Sequence, residues 1–413
     1  MCVNLRGPAD SDDDGSALLT SSAVGELLEV AVEHAGGTLL SWTLDHVDFH
    51  PSHSTTATYS ALVEWSYGRR EELLGVSARV GGLTDADERA EIFADGDREV
   101  AVWIYPQDPD LPGLARAAYA TEMAEVLNTY GLVPGGASAD KLDLRMIGYR
   151  PRRRAVVRLA VRAGGPVFYV KVLRERSFRD VRLRHELLTR HGVPAPEVVA
   201  TTDDFLLITR ELPGSPLARS IFDPETPCSA EDLVRLLDSM PATVSGLSRR
   251  APWADSVGHY ATMVARAMPV LEPKLDWIVA RVTEGLAPIP HGNEPTHGDF
   301  HEGQVHVLGG RVCGILDVDT VGPGRRADDL ACMVAHLSTI QHMDAEQTAL
   351  VHGLIRDWVP VFDERVDPVE LRLRAAAVIV SLATGPFRGQ EPDWEAATAR
   401  IVRSAEALVR QVS

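Results

Sequence analysis

Apolar residues first recur at helical spacing after Ser21, with Val24, Leu27, Leu28, Val30 and Ala31 on one stripe that stops at Gly36 and Gly37. The period then falls to two. Residues 39–50, 57–66, 72–80 and 98–105 alternate apolar and polar and are rich in Val, Trp, Tyr and Thr, which predicts strands. Gly68, Arg69 and Arg70 mark a hairpin turn between two of them. Residues 112–130 return to a helical pattern that ends at Gly131. Together these elements predict an α+β unit with an antiparallel sheet over residues 17–135, closed by the Pro- and Gly-rich connector at 133–140.

A second β-rich run follows at 142–149, 154–162 and 166–173, then a helix at 177–191 and strands at 197–201 and 204–210. This predicts a small sheet-based unit over residues 140–213. From Leu217 the pattern is mostly helical, interrupted by a strand pair at 304–308 and 311–316 around Gly309 and Gly310. Helices are expected near 326–342, 345–358, 367–384 and 392–411, so residues 214–413 form a helical unit with a hairpin in its middle. Residues 1–16, dominated by Ser, Asp and Gly, are expected to be a disordered leader.

Charge sharpens this picture more than composition does. Lys and Arg number 41 against 59 Asp and Glu, a formal net charge of −18. So acidic a chain is poorly suited to wrapping nucleic acid or docking on an anionic membrane. No run approaches the ~20 apolar residues that span a bilayer, and the first residues lack the basic and apolar regions of a secretory signal. Cys2, Cys228, Cys313 and Cys332 are far apart and read as thiols of a reducing compartment. A cytoplasmic protein with a nucleotide and a small-molecule partner, and no nucleic acid or membrane, is the expectation that the motifs below support.

The chemistry concentrates in three segments: Thr296–Gln304 (THGDFHEGQ), Ile315–Asp319 (ILDVD) and Asp328–Ala331 (DDLA). Asp299 sits in a Gly-containing loop before a strand that Gln304 begins. The hairpin that follows should set Asp299 and Gln304 beside Asp317 and Asp319. Three carboxylates and an amide oxygen at one rim make an oxygen-rich cation site of the kind that suits Mg²⁺. A carboxylate left over can take a proton from a hydroxyl, and the combination is what phosphoryl transfer from a nucleotide needs.

The segment HGDFHEGQ resembles the HGDxxxxN catalytic loop of the aminoglycoside phosphotransferases, choline kinases and related small-molecule kinases, and ILDVD resembles their metal-binding segment. The resemblance spans about residues 140–410. It implies an α+β, bilobal protein-kinase-like fold, with a β-rich N-lobe at 140–213, a helical C-lobe at 214–413, and residues 17–135 as an added N-terminal cap such as maltokinase-like relatives carry. It implies ATP or GTP as donor, Mg²⁺ as cofactor, and transfer of the γ-phosphate to a hydroxyl of a sugar, amino sugar or aminoglycoside-like compound. Asp299 would be the catalytic base or orient the acceptor hydroxyl. Asp317 would be the principal Mg²⁺ ligand and Gln304 the second. Lys171, in the strand segment VFYVKV, would contact the nucleotide phosphates with Glu186 as its ion-pair partner. Adenine would bind backbone groups near Thr209, Glu211 and Leu212, while His297, Asp319 and Asp329 would support the loop. A peptide Ser or Thr hydroxyl as acceptor, or a nucleotide-binding protein without catalysis, are the alternatives.

Several features depart from that pattern. Gln304 stands where the family carries asparagine, and Arg325 and Arg326 replace an Asp-Pro pair before DDLA. No Gly-rich phosphate loop opens the second sheet. Instead Tyr149–Arg154 reads YRPRRR, either a set of phosphate contacts or a solvated basic loop. His46, Asp48 and His50 alternate on one strand with His53 beyond, a spacing that could hold a metal, but no further ligand accompanies them and they read as surface residues. Trp394 reads as a core aromatic or as a stacking surface for a sugar.

Overall fold

The computed structural model describes residues 14–50, 53–80, 89–95, 98–223 and 227–412. The expected leader therefore lies outside the described residues up to position 13. Its last residues are folded: Asp14 is buried and accepts the Ser16 N–H at 3.2 Å, at the start of a helix Ser16–Leu19. Two compact units form. One holds the chain up to Arg179 with Val198–Arg210 and Arg388–Glu391, the other Asp180–Glu197, Glu211–Phe387 and Pro392–Ser413.

The first unit contains two antiparallel five-stranded sheets. Strands β1 (Thr38–His50), β2 (Ser54–Trp65), β3 (Gly68–Val80), β4 (Glu91–Asp95) and β5 (Arg98–Ile104) lie in the order β1-β2-β3-β5-β4. The alternation aims Ala57, Tyr59, Leu74, Val76, Val100 and Val102 at one face. The helix Gly25–His34 buries Leu27, Leu28 and Val32 in the same unit, and the Tyr59 hydroxyl donates to the Leu19 carbonyl at 2.5 Å. Trp103 points to the opposite face and lies against Gly75, where a Cβ would come within 2.2 Å of its ring. The sequence pattern did not reveal β4, because five residues at a sheet edge are too few to establish a period.

Strands β6 (Leu142–Arg150), β7 (Arg154–Val161), β8 (Val167–Leu173), β9 (Val198–Thr201) and β10 (Leu206–Arg210) form the second sheet in the order β6-β7-β8-β10-β9. Its core joins Val157, Leu159, Phe168, Val170 and Ile208 to Leu114, Met123 and Leu127. The last three belong to the helices Leu114–Ala118 and Ala120–Thr129, which the pattern read as one helix and which break at the extended Tyr119. Trp103 donates to the Tyr149 hydroxyl at 2.9 Å, and Tyr149 donates to Asp108 at 2.7 Å, so the two sheets are linked by a buried polar chain. Deleting residues 1–131 would strip Leu114, Met123 and Leu127 from beneath the second sheet. We expect that truncated protein only in the insoluble fraction; a soluble truncation that melts like the full chain would contradict this.

The second unit is helical, with β11 (Ser215–Pro216), β12 (Glu294–Thr296), β13 (Val305–Leu308), β14 (Arg311–Ile315) and β15 (Gly322–Gly324) inserted. Its central helix Pro368–Leu382 is buried almost all round, as its run of Ala, Val, Ile and Leu demands. The helices Arg326–Leu337 and Trp394–Arg410 contribute Leu330, Val334, Ile401 and Val402 to the same core. Among the described residues no helix is long and apolar enough to cross a membrane.

Candidate active site

The loop Thr296–Gln304 runs from β12 into β13. β12 pairs with β15, placing Thr296 opposite Gly322, and the Thr296 hydroxyl donates to the Gly322 carbonyl at 2.8 Å. β13 and β14 form a hairpin with Val305 opposite Ile315. One step further, Leu316 N–H donates to the Gln304 carbonyl at 2.7 Å. The register thus brings Gln304 to the residue before Asp317. Gly298 holds φ at +81°, and a Cβ there would stand 2.8 Å from the Thr320 carbonyl, so both the backbone conformation and the space call for glycine.

Asp329 holds this loop from the first turn of the helix Arg326–Leu337. It is fully buried and accepts the backbone N–H groups of His297 at 2.9 Å and Gly298 at 2.8 Å. Arg326 faces it at 3.5 Å. Burial pushes its carboxyl up, and Arg326 with the two N–H groups works against that. His297 donates Nε2–H to the Leu316 carbonyl at 2.8 Å and accepts the Asp299 N–H on Nδ1 at 3.3 Å, which selects one neutral tautomer. The Thr320 hydroxyl closes the frame by donating to the His297 carbonyl at 2.8 Å. Arg325 and Arg326, the two departures from the family pattern, both have partners. Arg325 forks onto Glu370 at 2.5 and 2.9 Å, and Arg374 joins Glu370 at 2.7 Å and Asp328 at 2.6 Å. Asp329→Ala would leave two backbone donors and a guanidinium without their carboxylate. The expected loss is about 3–5 kcal/mol, read as a lower urea midpoint; a loss below about 1 kcal/mol would contradict the clamp.

Around Asp299 the structure gathers residues that sequence reasoning passed over. The Cys332 thiol points at its Oδ1 at 3.8 Å, and burial first, then the Asp299 charge, pushes that thiol well above its ordinary pKa. His301 and His336 stack with ring centres 4.0 Å apart, and the Glu302 carboxylate lies 3.8 and 4.0 Å from their Nδ1 atoms. Burial and then His301 push His336 down to about 4, so it is neutral at pH 7. For His301 burial lowers the pKa but Glu302 overrides it and raises it. A separation of 3.8 Å is nevertheless no hydrogen bond. Nδ1 accepts the Gly303 N–H at 3.1 Å. His301 Nε2 lies 3.1 Å from the Gln304 amide. The Gln304 atom facing it is the amide nitrogen, and the amide oxygen is the group that could serve a cation. His301 and Glu302 were visible inside the loop motif. Cys332 and His336 follow Asp329 by three and seven positions, so helical spacing alone would have placed them on its face.

Asp317 occupies the left-handed region at φ 49° and ψ 49°, uncommon for a residue with a side chain. Asp319 lies in the short turn Val318–Thr320 that follows. Among the described residues, the group that brings three ligand atoms within 4.8 Å of one another is Asp299, His301 and His336. The trio Asp299, Asp317 and Asp319 is not such a group among the described residues.

In the first unit Lys171 lies on β8, the middle strand of its sheet, opposite Val156 of β7 and Leu207 of β10. Thr209 is buried on β10, its hydroxyl donating to the Tyr169 carbonyl at 3.4 Å. The chain passes from the first unit to the second after Arg210, so Glu211 and Leu212 open the second, where Leu212 packs over Gly314. Glu186, on the helix Glu175–Arg190, pairs with Arg182 at 2.6 Å. Trp394 stacks edge-on against Phe387 with ring centres 5.0 Å apart.

Residues 135–366 match the family described as the phosphotransferase enzyme family. No curated protein matches the chain. Similar solved structures include a thermostable mutant of the aminoglycoside phosphotransferase APH(4)-Ia in a ternary complex with ADP and hygromycin B, at 15% identity over 69% of this chain and 97% of that one, with a TM-score of 0.46. They include choline kinase from Cryptosporidium parvum Iowa II, at 9% identity over 70% and 95% with a TM-score of 0.46. Choline kinase LicA from Streptococcus pneumoniae matches at 11% identity over 70% and 98% with a TM-score of 0.45.

Proposed function

The chain belongs to the phosphotransferase enzyme family and is a kinase with a hydroxyl acceptor, and on that premise we propose that it moves the γ-phosphoryl group of ATP to a hydroxyl of a sugar, amino sugar or aminoglycoside-like compound. The observation that carries this reading is the frame around Asp299: a loop held by Asp329, His297 and Thr320, with Gln304 and Asp317 at the adjoining hairpin end. Such a frame holds a base in one place before the acceptor arrives, which is where proximity catalysis gains its rate.

In this reading the Asp299 carboxylate orients the acceptor hydroxyl and takes its proton as the oxygen attacks the γ-phosphorus. The bond from phosphorus to the bridging oxygen breaks, and ADP leaves. Lys171 binds nucleotide phosphate oxygens, and backbone groups at Thr209, Glu211 and Leu212 receive the base. Asp317 and the Gln304 amide oxygen would hold Mg²⁺, whose contribution is to neutralise charge on the transferring phosphoryl group. The donor set fits such a hard cation: a carboxylate whose backbone is held in a strained turn, and an amide whose nitrogen lies against His301. The net charge of −18 favours a cationic acceptor such as an amino sugar.

The test is ATP turnover by the full chain over a panel of sugars, amino sugars, aminoglycosides and Ser/Thr peptides, read as ADP release and as phosphate-ester mass shift. Phosphorylation of a sugar-type hydroxyl is the expected outcome. Phosphorylation of peptides alone, or no ADP release above hydrolysis, would overturn the reading.

A further inference from the structure

The histidines that alternate on β1 face a pocket, and the pocket is basic. Val47 and Phe49 point into the core, so His46, Asp48 and His50 share the opposite face. That face lines a pocket of about 470 Å³ together with Arg79, Arg150, Arg152, Arg153, Arg174 and Arg176. Among the described residues, six guanidinium groups meet Asp48 and Asp110 as the only lining carboxylates, an excess of four positive charges there in a chain of net charge −18. Arg153 and Arg388 both turn to Asp48, at 3.3 and 3.2 Å, and Arg152 turns to Asp110 at 3.0 Å. The turn itself is anchored by the Arg152 N–H to Asp108 at 2.7 Å. A divalent metal on His46, Asp48 and His50 would sit among these arginines and be repelled by them.

Among the described residues, the Nε atoms of Arg174 and Arg388 are shielded from solvent and have no hydrogen-bond acceptor. Arg150 keeps part of its surface in solvent, yet partial burial and then the charges of Arg154, Arg388 and Arg153 hold it below its ordinary pKa. Burial and then Arg176 do the same to Arg174. His46 is lowered by burial and then by Arg388, leaving a neutral ring that can donate one N–H. Ser54, Thr56 and Ser77 add hydroxyl donors along the wall. Crowded guanidinium forks with unused donors are what bidentate phosphate recognition employs, and the volume exceeds what a single phosphate fills.

We infer that this pocket, formed by β1 to β3, the turn Pro151–Arg153 and the residues after β8, binds a small molecule bearing two phosphate groups. The inference uses none of the residues assigned to the phosphotransfer reaction. It also settles on one role for the basic turn: its arginines face this pocket and its acidic anchors.

Titration calorimetry of the full chain with sodium diphosphate, in a chloride buffer of low ionic strength, tests the site. One equivalent should bind, more tightly than orthophosphate. The double variant Arg150→Gln/Arg174→Gln should lose roughly tenfold or more in affinity. Should that variant fold poorly, Arg176→Glu at the exposed rim reverses a charge without touching the core and should weaken binding several-fold. Asp317→Ala should bind diphosphate as the wild type does. Absence of binding, arginine variants that bind unchanged, or loss of diphosphate binding in Asp317→Ala would each overturn the inference. The last result, or an equal loss of ATP affinity in the arginine variants, would make the diphosphate a ligand of the nucleotide site.

Discussion

Asp299→Asn is expected to lower turnover by roughly 10²- to 10⁴-fold while nucleotide affinity and stability stay close to wild type. The structure explains why these effects should separate. The loop is held through backbone groups, namely Asp329 on the His297 and Gly298 N–H groups and His297 Nδ1 on the Asp299 N–H. None of these uses the Asp299 carboxylate, whose close contact is the weak Cys332 thiol donor at 3.8 Å. Asparagine preserves the shape and removes the proton acceptor. The measurements are steady-state ADP release, thermal melting and nucleotide titration. A variant retaining more than about a third of wild-type turnover would remove Asp299 from the role of base.

Asp317→Ala is expected to abolish the Mg²⁺-dependent part of ATP binding. A carboxylate that bridges cation and phosphates has no substitute in alanine. The position adds a complication, since φ of 49° disfavours alanine as well. Asp317→Asn is the control, because asparagine tolerates the left-handed region and changes only the charge. Both variants should lose the Mg²⁺-dependent thermal shift with ATP, and Asp317→Asn should melt near wild type. An unchanged shift in either would place the cation elsewhere. Gln304→Asn should keep partial activity, because the amide oxygen survives one methylene shorter.

What could be read in the chain follows the range over which each signal acts. The α+β character, the two sheets and the helical second half come from local periodicity: Ala57, Tyr59, Val63 and Leu74, Val76, Ala78 alternate, and residues 305–308 and 311–315 bracket two glycines. The family was legible because Asp299 and Gln304 lie in one loop and Asp317 follows one hairpin later. Residues 112–130 were legible as helical, but nothing local said that Leu114, Met123 and Leu127 would join Phe168 and Val170 in one core.

The tertiary structure alone decided which groups share an environment. The close group of ligand atoms at Asp299 is completed by His301 and His336 and not by two further aspartates, among the described residues. Asp329 reaches a backbone 32 positions away, and Asp48 reaches Arg153 across 105. Periodicity carries which face a residue takes on its own element and says nothing about the face it meets. The alternating His46, Asp48 and His50 therefore read as a metal pattern or as bare surface until Arg150, Arg153, Arg174 and Arg388 were seen beside them. Charge acts through space and not along the chain, so the sign of that pocket could be fixed only by folding.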